Sequence, residues 1–192
     1  MISLPMLASF LRPLNLSWLS VSVLALGAIA GCENYPATGN TITTGTYEAT
    51  ATVTYTWQVE YARRFDRRQT IRQEQFASTS LVNRNGVQPQ GAVTGPDDQG
   101  LWWPALPPRP TADELENRKR ETIERRTDPL IRKDVQYAIT FDHDGRRRTL
   151  PTGRSVYREA ARAYAEQQAL ELTYGPAEQS IGAARRIASF DR

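Results

Sequence analysis

From Thr46 to Tyr61 the chain reads TYEATATVTYTWQVEY, and apolar and polar residues alternate without an error. The odd positions are Tyr47, Ala49, Ala51, Val53, Tyr55, Trp57, Val59 and Tyr61; threonine, glutamate and glutamine fill the even ones. A period of two marks a half-buried strand, and Thr, Val, Tyr and Trp suit a pleated surface. At ~3.3 Å per residue such a strand reaches ~50 Å, far beyond the usual ~5–6 residues. It must bend, bulge or serve two partners in succession. A transmembrane β-strand alternates in the same way. No second strand of comparable length is evident, however, and a lone strand cannot close a barrel. The pattern predicts a central strand whose odd face lies under a helix, with the threonines outside.

Other segments are shorter. RRFDRRQTIRQEQF, residues 63–76, fits neither period, and STSLVN, residues 78–83, reads as a short strand returning beside the long one. Residues 84–110 are a loop broken throughout by Gly and Pro. Thr111 and Glu114 form a capping-box pattern that predicts a lightly packed surface helix running to about Arg126. Val135, Tyr137, Ile139 and Phe141 alternate before Asp144-Gly145, which predicts a hairpin over 131–150. Val156, Ala160, Ala163, Tyr164, Gln167 and Leu170 line one stripe, so residues 155–174 read as the strongest helix, ended by Gly175-Pro176. Residues 177–190 read as a last short helix. The fold expected is α+β, an antiparallel sheet built on one long strand (46–61) plus a hairpin (131–150), with helices packed on one face.

The first residues change the picture. Arg12 is the one charge before an apolar stretch, LNLSWLSVSVLALGAIA, that leads to Ile29-Ala30-Gly31-Cys32. A basic start, a short apolar run and small residues make an export signal, too short for the ~20 residues of a spanning helix. The IAGC ending resembles the lipobox of bacterial lipoproteins. That resemblance covers residues 1–32 only. It implies cleavage between Gly31 and Cys32 and a diacylglycerol on the Cys32 sulfur. With acyl chains at that position the membrane tether is stable. Glu33 follows, where an Asp would signal inner-membrane retention in two-membrane bacteria. The resemblance therefore implies an exported, anchored protein at the periplasmic face, with the outer membrane favoured. The organisation expected is a signal peptide at 1–31, an anchor and flexible tether at 32–45, and one domain at 46–190.

Composition narrows the chemistry. Cys32 is the only cysteine, so the mature chain has no internal disulfide and depends on a core. Arginine outnumbers lysine by twenty-two to two, yet the net charge is +3, and removing the leader leaves +2. That balance argues against nucleic acid as a partner. The arginine clusters read chiefly as solvated surface and internal ion pairs, with anionic glycan or lipid as the alternative use.

His143 is the one histidine, and Asp142-His143-Asp144-Gly145 reads as a turn; the remaining ligands of a calcium loop are missing. No residues are assigned as catalytic or metal-binding, and no cofactor is expected. Trp102, Trp103, Pro104, Pro107 and Arg109, in LWWPALPPRP, are the candidate partner surface. The weightier alternative is that this strap packs on the domain's own sheet. The function expected is non-catalytic binding or scaffolding in the cell envelope; the rival is a hydrolase or glycan-processing enzyme using carboxylates and arginines.

Overall fold

The computed structural model describes residues 35–63 and 71–187. Its frame is a single eight-stranded sheet. In chain order the strands are β1 (Thr41–Thr44), β2 (Tyr47–Ala62), β3 (Arg72–Arg84), β4 (Arg125–Arg126), β5 (Leu130–His143), β6 (Arg146–Thr152), β7 (Ala169–Tyr174) and β8 (Ile181–Ile187). Two α-helices accompany them, α1 (Ala112–Asn117) and α2 (Arg154–Ala165). The hydrogen-bonded order is β1-β7-β8-β6-β5-β2-β3, with β4 also on β2. Neighbours are antiparallel except β6 and β8, which meet in parallel at Thr152 and Ile181.

This overturns the expected α+β arrangement of helices on an antiparallel sheet. The chain is mostly β, the sheet is mixed, and the helices are six and twelve residues long. The long strand also lies next to the sheet edge, not at its centre.

The alternation in β2 is realised as burial. Ala49, Ala51, Val53, Val59 and Tyr61 are fully buried; the even positions from Glu48 to Glu60 are half-buried. Three elements cover the odd face in turn. Ala49, Ala51 and Val53 join a core with Val156, Tyr157, Ala160 and Ala163 of α2. Tyr55 lies under Trp103 of the 84–110 segment, their ring centroids 4.9 Å apart. Val59 and Tyr61 form a separate cluster with Leu115 of α1, and Phe76 packs against it. The Tyr61 hydroxyl donates to the Leu115 carbonyl at 2.9 Å. Between these clusters the β2–β3 register shifts: Thr56 faces Ser78, but Gln58 faces Gln75. Such an irregularity re-aims side chains and increases local twist. The strand thus bulges and serves successive partners, as its length requires.

Four local expectations fail for identifiable reasons. The 155–174 helix ends at Ala165, because Leu170, Leu172 and Tyr174 alternate into the core as β7. Helix-forming residues in ALELTY yield to that burial, since tertiary packing overrides propensity. Residues 181–187 are likewise a strand, β8, zipped to β7 from Ala169/Ile187 to Tyr174/Ile181. The 111–126 helix keeps its capping box but stops at Asn117. Leu115 is its one buried anchor, Ile123 is 64 % exposed, and a short helix needs such packing to persist. Finally, Thr41–Thr44, expected within the flexible tether, pairs with β7 as β1. The 131–150 hairpin forms as read: β5 and β6 pair, and Asp144 and Gly145 turn between them with φ of 50° and 69°. Positive φ at both positions is the signature of a tight hairpin turn.

Candidate functional site

The strap from Leu101 to Pro110 lies across the inner face of β2 and β3. Trp103 pairs with Thr94 in a small antiparallel bridge, which bends the loop into a hairpin of its own. Asp97 holds that hairpin. Its Oδ1 accepts from the backbone N–H of Gln99 and of Leu101, both at 2.9 Å, and its Oδ2 accepts from Trp103 Nε1 at 2.8 Å. Burial alone would raise the Asp97 pKa. The N–H of Leu101, the Trp103 indole, the N–H of Gln99 and the nearby Lys133 charge outweigh it and hold the carboxyl below its ordinary value.

The far side of the strap is fastened to the sheet. Asn83, fully buried on β3, accepts from Trp102 N at 2.8 Å and donates to Trp102 O at 3.0 Å. Thr79 Oγ1 donates to the Ala105 carbonyl at 2.6 Å. Trp57 Nε1 donates to the Pro107 carbonyl at 2.9 Å. Of the candidate partner residues, Trp103 and Pro107 are buried, Trp102 and Pro104 are half-buried, and Arg109 is exposed above the Trp57 ring. The surface left outward consists of Ala105, Leu106, Pro108 and Arg109. Asn83 and Asp97 were not singled out from the sequence. A clue existed for Asn83: it sits at a core-facing step of the strand, where an amide must be satisfied internally.

Lys133 closes the cleft beside the strap. It pairs with Tyr55 across the sheet, and its Nζ lies 5.1 Å from the Trp103 ring and 5.6 Å from the Tyr55 ring. The cleft, ≈ 440 Å³, is lined by Tyr55, Gly95, Asp97, Asp98, Trp103 and Lys133 among others. Its acids are Asp97 and Asp98. Asp97 is spent on three hydrogen bonds, so it acts as a strut of the loop.

The arginines divide into two groups. Among the described residues, ten of seventeen are answered by the protein's own carboxylates. Arg72 lies between Glu74 and Glu124, 4.6 Å above the Tyr61 ring; Arg63 meets Glu121 at 2.6 Å. Glu124 is held below its ordinary pKa by the backbone N–H of Arg120, then by Arg72, against a push from burial. Arg185 meets Glu171 at 2.7 Å, and Arg186 meets both Glu159 and Glu166 at 2.8 Å. Arg146 and Arg147, at the β5–β6 tip, are exposed and form no ion pair among the described residues, as is also true of Arg109, Arg125, Arg154 and Arg158. The tip also carries His143, whose Nε2 lies 3.3 Å from Asp144 Oδ2.

The candidate lipidation and cleavage positions, Cys32 and Gly31, lie outside the described residues. No protein-family description, curated protein or solved structure matches the chain.

Proposed function

We propose that the protein is a lipid-anchored cell-envelope protein, exported and held at the periplasmic face by acyl chains on Cys32, with the outer membrane favoured. It acts there as a non-catalytic binding or scaffolding module for an envelope protein, an anionic glycan or a lipid. The observation that carries this reading is the IAGC sequence at residues 29–32, behind a short apolar run with one charge before it. The domain suits a passive role: its most distinctive loop is spent on internal hydrogen bonds, and ten of its seventeen described arginines meet its own acids.

Replacing Cys32 with Ala, behind a leader that is cleaved without a lipobox so that the apolar run is still removed, is expected to move the protein from the membrane to the soluble fraction. Unchanged membrane association would refute the anchor. For the binding role, substituting Leu106 and Arg109 together is expected to weaken capture of envelope material while the fold persists, because both side chains point outward. Identical captured material would remove the strap from consideration as an interface.

A further inference from the structure

The described chain begins at Tyr35, and it is fastened almost at once. Thr38 N and Gly39 N donate to the Tyr174 carbonyl at 3.1 and 2.9 Å, and Tyr174 N donates to the Asn40 carbonyl at 3.0 Å. Pro36 and Ala37 lie directly on Gly182: a Cβ there would stand 2.5 Å from Pro36 O and 2.6 Å from Ala37 N. A side chain at 182 is excluded by that approach, so the glycine is what lets the segment seat. Among the described residues the docked chain reaches back to Pro36, ahead of β1.

The hairpin tip is at the same end of the sheet. Arg148, on β6, donates to the Tyr174 hydroxyl at 2.9 Å and lies 3.6 Å from Glu178. Tyr174 is thus held by Thr38–Asn40 through its backbone and by Arg148 through its side chain. Arg146 and Arg147 precede Arg148 and project from this end. β2 starts here as well, with Tyr47 opposite Phe141 and Asp142 N donating to Thr46 O at 3.3 Å. It then runs ~50 Å away, toward α1 and β4.

Four Cα steps separate Cys32 from Pro36. At 3.8 Å each they span at most ~15 Å. We propose that this short link fixes the orientation of the domain: the end carrying Pro36–Gly39, the 177–180 turn and the Arg146–Arg147 tip faces the bilayer at headgroup distance, and the two guanidinium groups contact anionic lipid phosphates. The inference rests on the lipid anchor at Cys32. The tether does most of the orienting. Asp142, Asp144 and Glu178 share this end, so its net field is small, and the arginines act as individual bidentate phosphate ligands.

The test exploits the single cysteine. With the Cys32 sulfur acylated, an introduced cysteine is a unique labelling position. The acylated full chain is placed on phosphatidylcholine vesicles containing phosphatidylglycerol and an acceptor-labelled lipid. A donor is attached at Asp144→Cys or at Ile123→Cys, both exposed, the second at the far end of β2. Energy transfer to the bilayer is expected to be several-fold stronger from position 144. Equal transfer, or stronger transfer from 123, would overturn the orientation.

Adding Arg146→Glu and Arg147→Glu is expected to lower transfer from 144 on phosphatidylglycerol vesicles to its value on pure phosphatidylcholine. No change would overturn the phosphate contact. The anchor is read separately: a Cys32→Ser chain lacking residues 1–31 is expected to stay off the vesicles altogether, and its persistent binding would refute the anchor whatever the energy transfer shows.

Discussion

Asn83 and Trp102 are joined by two hydrogen bonds that mimic a strand pairing, with the Asn83 side-chain amide in the place of a backbone amide. Through this pair a loop without regular structure is held on a sheet. Asn83→Leu removes both bonds and leaves Trp102 N and O unpaired. Each orphaned buried group costs about 1–3 kcal/mol, so a loss of about 2–6 kcal/mol is expected in denaturant unfolding. Asn83→Asp keeps the acceptor but sets a buried carboxylate against the Trp102 and Ala51 carbonyls, so its midpoint at neutral pH should fall at least as far as that of the leucine variant. A leucine variant as stable as the parent would show that the strap is held by other contacts.

Asp97 predicts a response to acid. Its carboxyl is held below the ordinary value, against its burial, by the N–H of Leu101, the Trp103 indole, the N–H of Gln99 and the Lys133 charge. A depressed folded pKa contributes stability that is complete above the unfolded Asp value, ~3.9, and is lost as pH falls through the lower folded value. Tryptophan fluorescence should therefore report loosening of the strap below about pH 4. In Asp97→Asn this part of the pH dependence should vanish, with reduced stability at neutral pH. Parallel acid profiles for the two proteins would contradict it.

Leu172 separates the observed strand from a helix reading. It is fully buried on β7, and Leu172→Ala is expected to cost about 2–5 kcal/mol. Ile123→Ala, at a residue 64 % exposed, should stay within about 0.5 kcal/mol. Thermal or chemical unfolding of both variants decides it; similar values for the two would mean that β7 is not core.

Gly182 supports the seat of Pro36 and Ala37. Gly182→Val forces that segment off, so the amides of Thr38 and Gly39, which donate to Tyr174, should exchange hydrogen much faster while those of β2 stay protected. Unchanged protection at 38 and 39 would show that the segment can shift and reseat.

Elements written in adjacent residues were legible. The alternation of β2, the Asp144-Gly145 turn and the Thr111–Glu114 capping box all appear where the sequence places them, because each depends on neighbours within a few positions. The sheet as a whole was not. β7 and β8 owe their form to each other and to β1, more than a hundred residues away. ALELTY does alternate, but its Ala, Leu and Glu extend the preceding helix stripe, and only the core chooses between the two readings. Thr41–Thr44 carries no apolar pattern strong enough to announce a strand; its partner supplies the reason. The strap's tryptophans stood out by composition, whereas Asp97 looks ordinary in sequence, and Asn83, apart from its core-facing place in the strand, is revealed by where its side-chain atoms end.

The division of the odd face of β2 between two cores has a mechanical consequence. The larger cluster, around α2, sits at the end where the chain is fastened; the smaller one, Val59, Tyr61 and Leu115 with Phe76 against it, sits at the other. Regions with few buried apolar contacts open at lower free energy than the whole. The end of β2 that carries Val59 and Tyr61 can accordingly fray and re-form while the larger core, and the sheet behind it, stays shut.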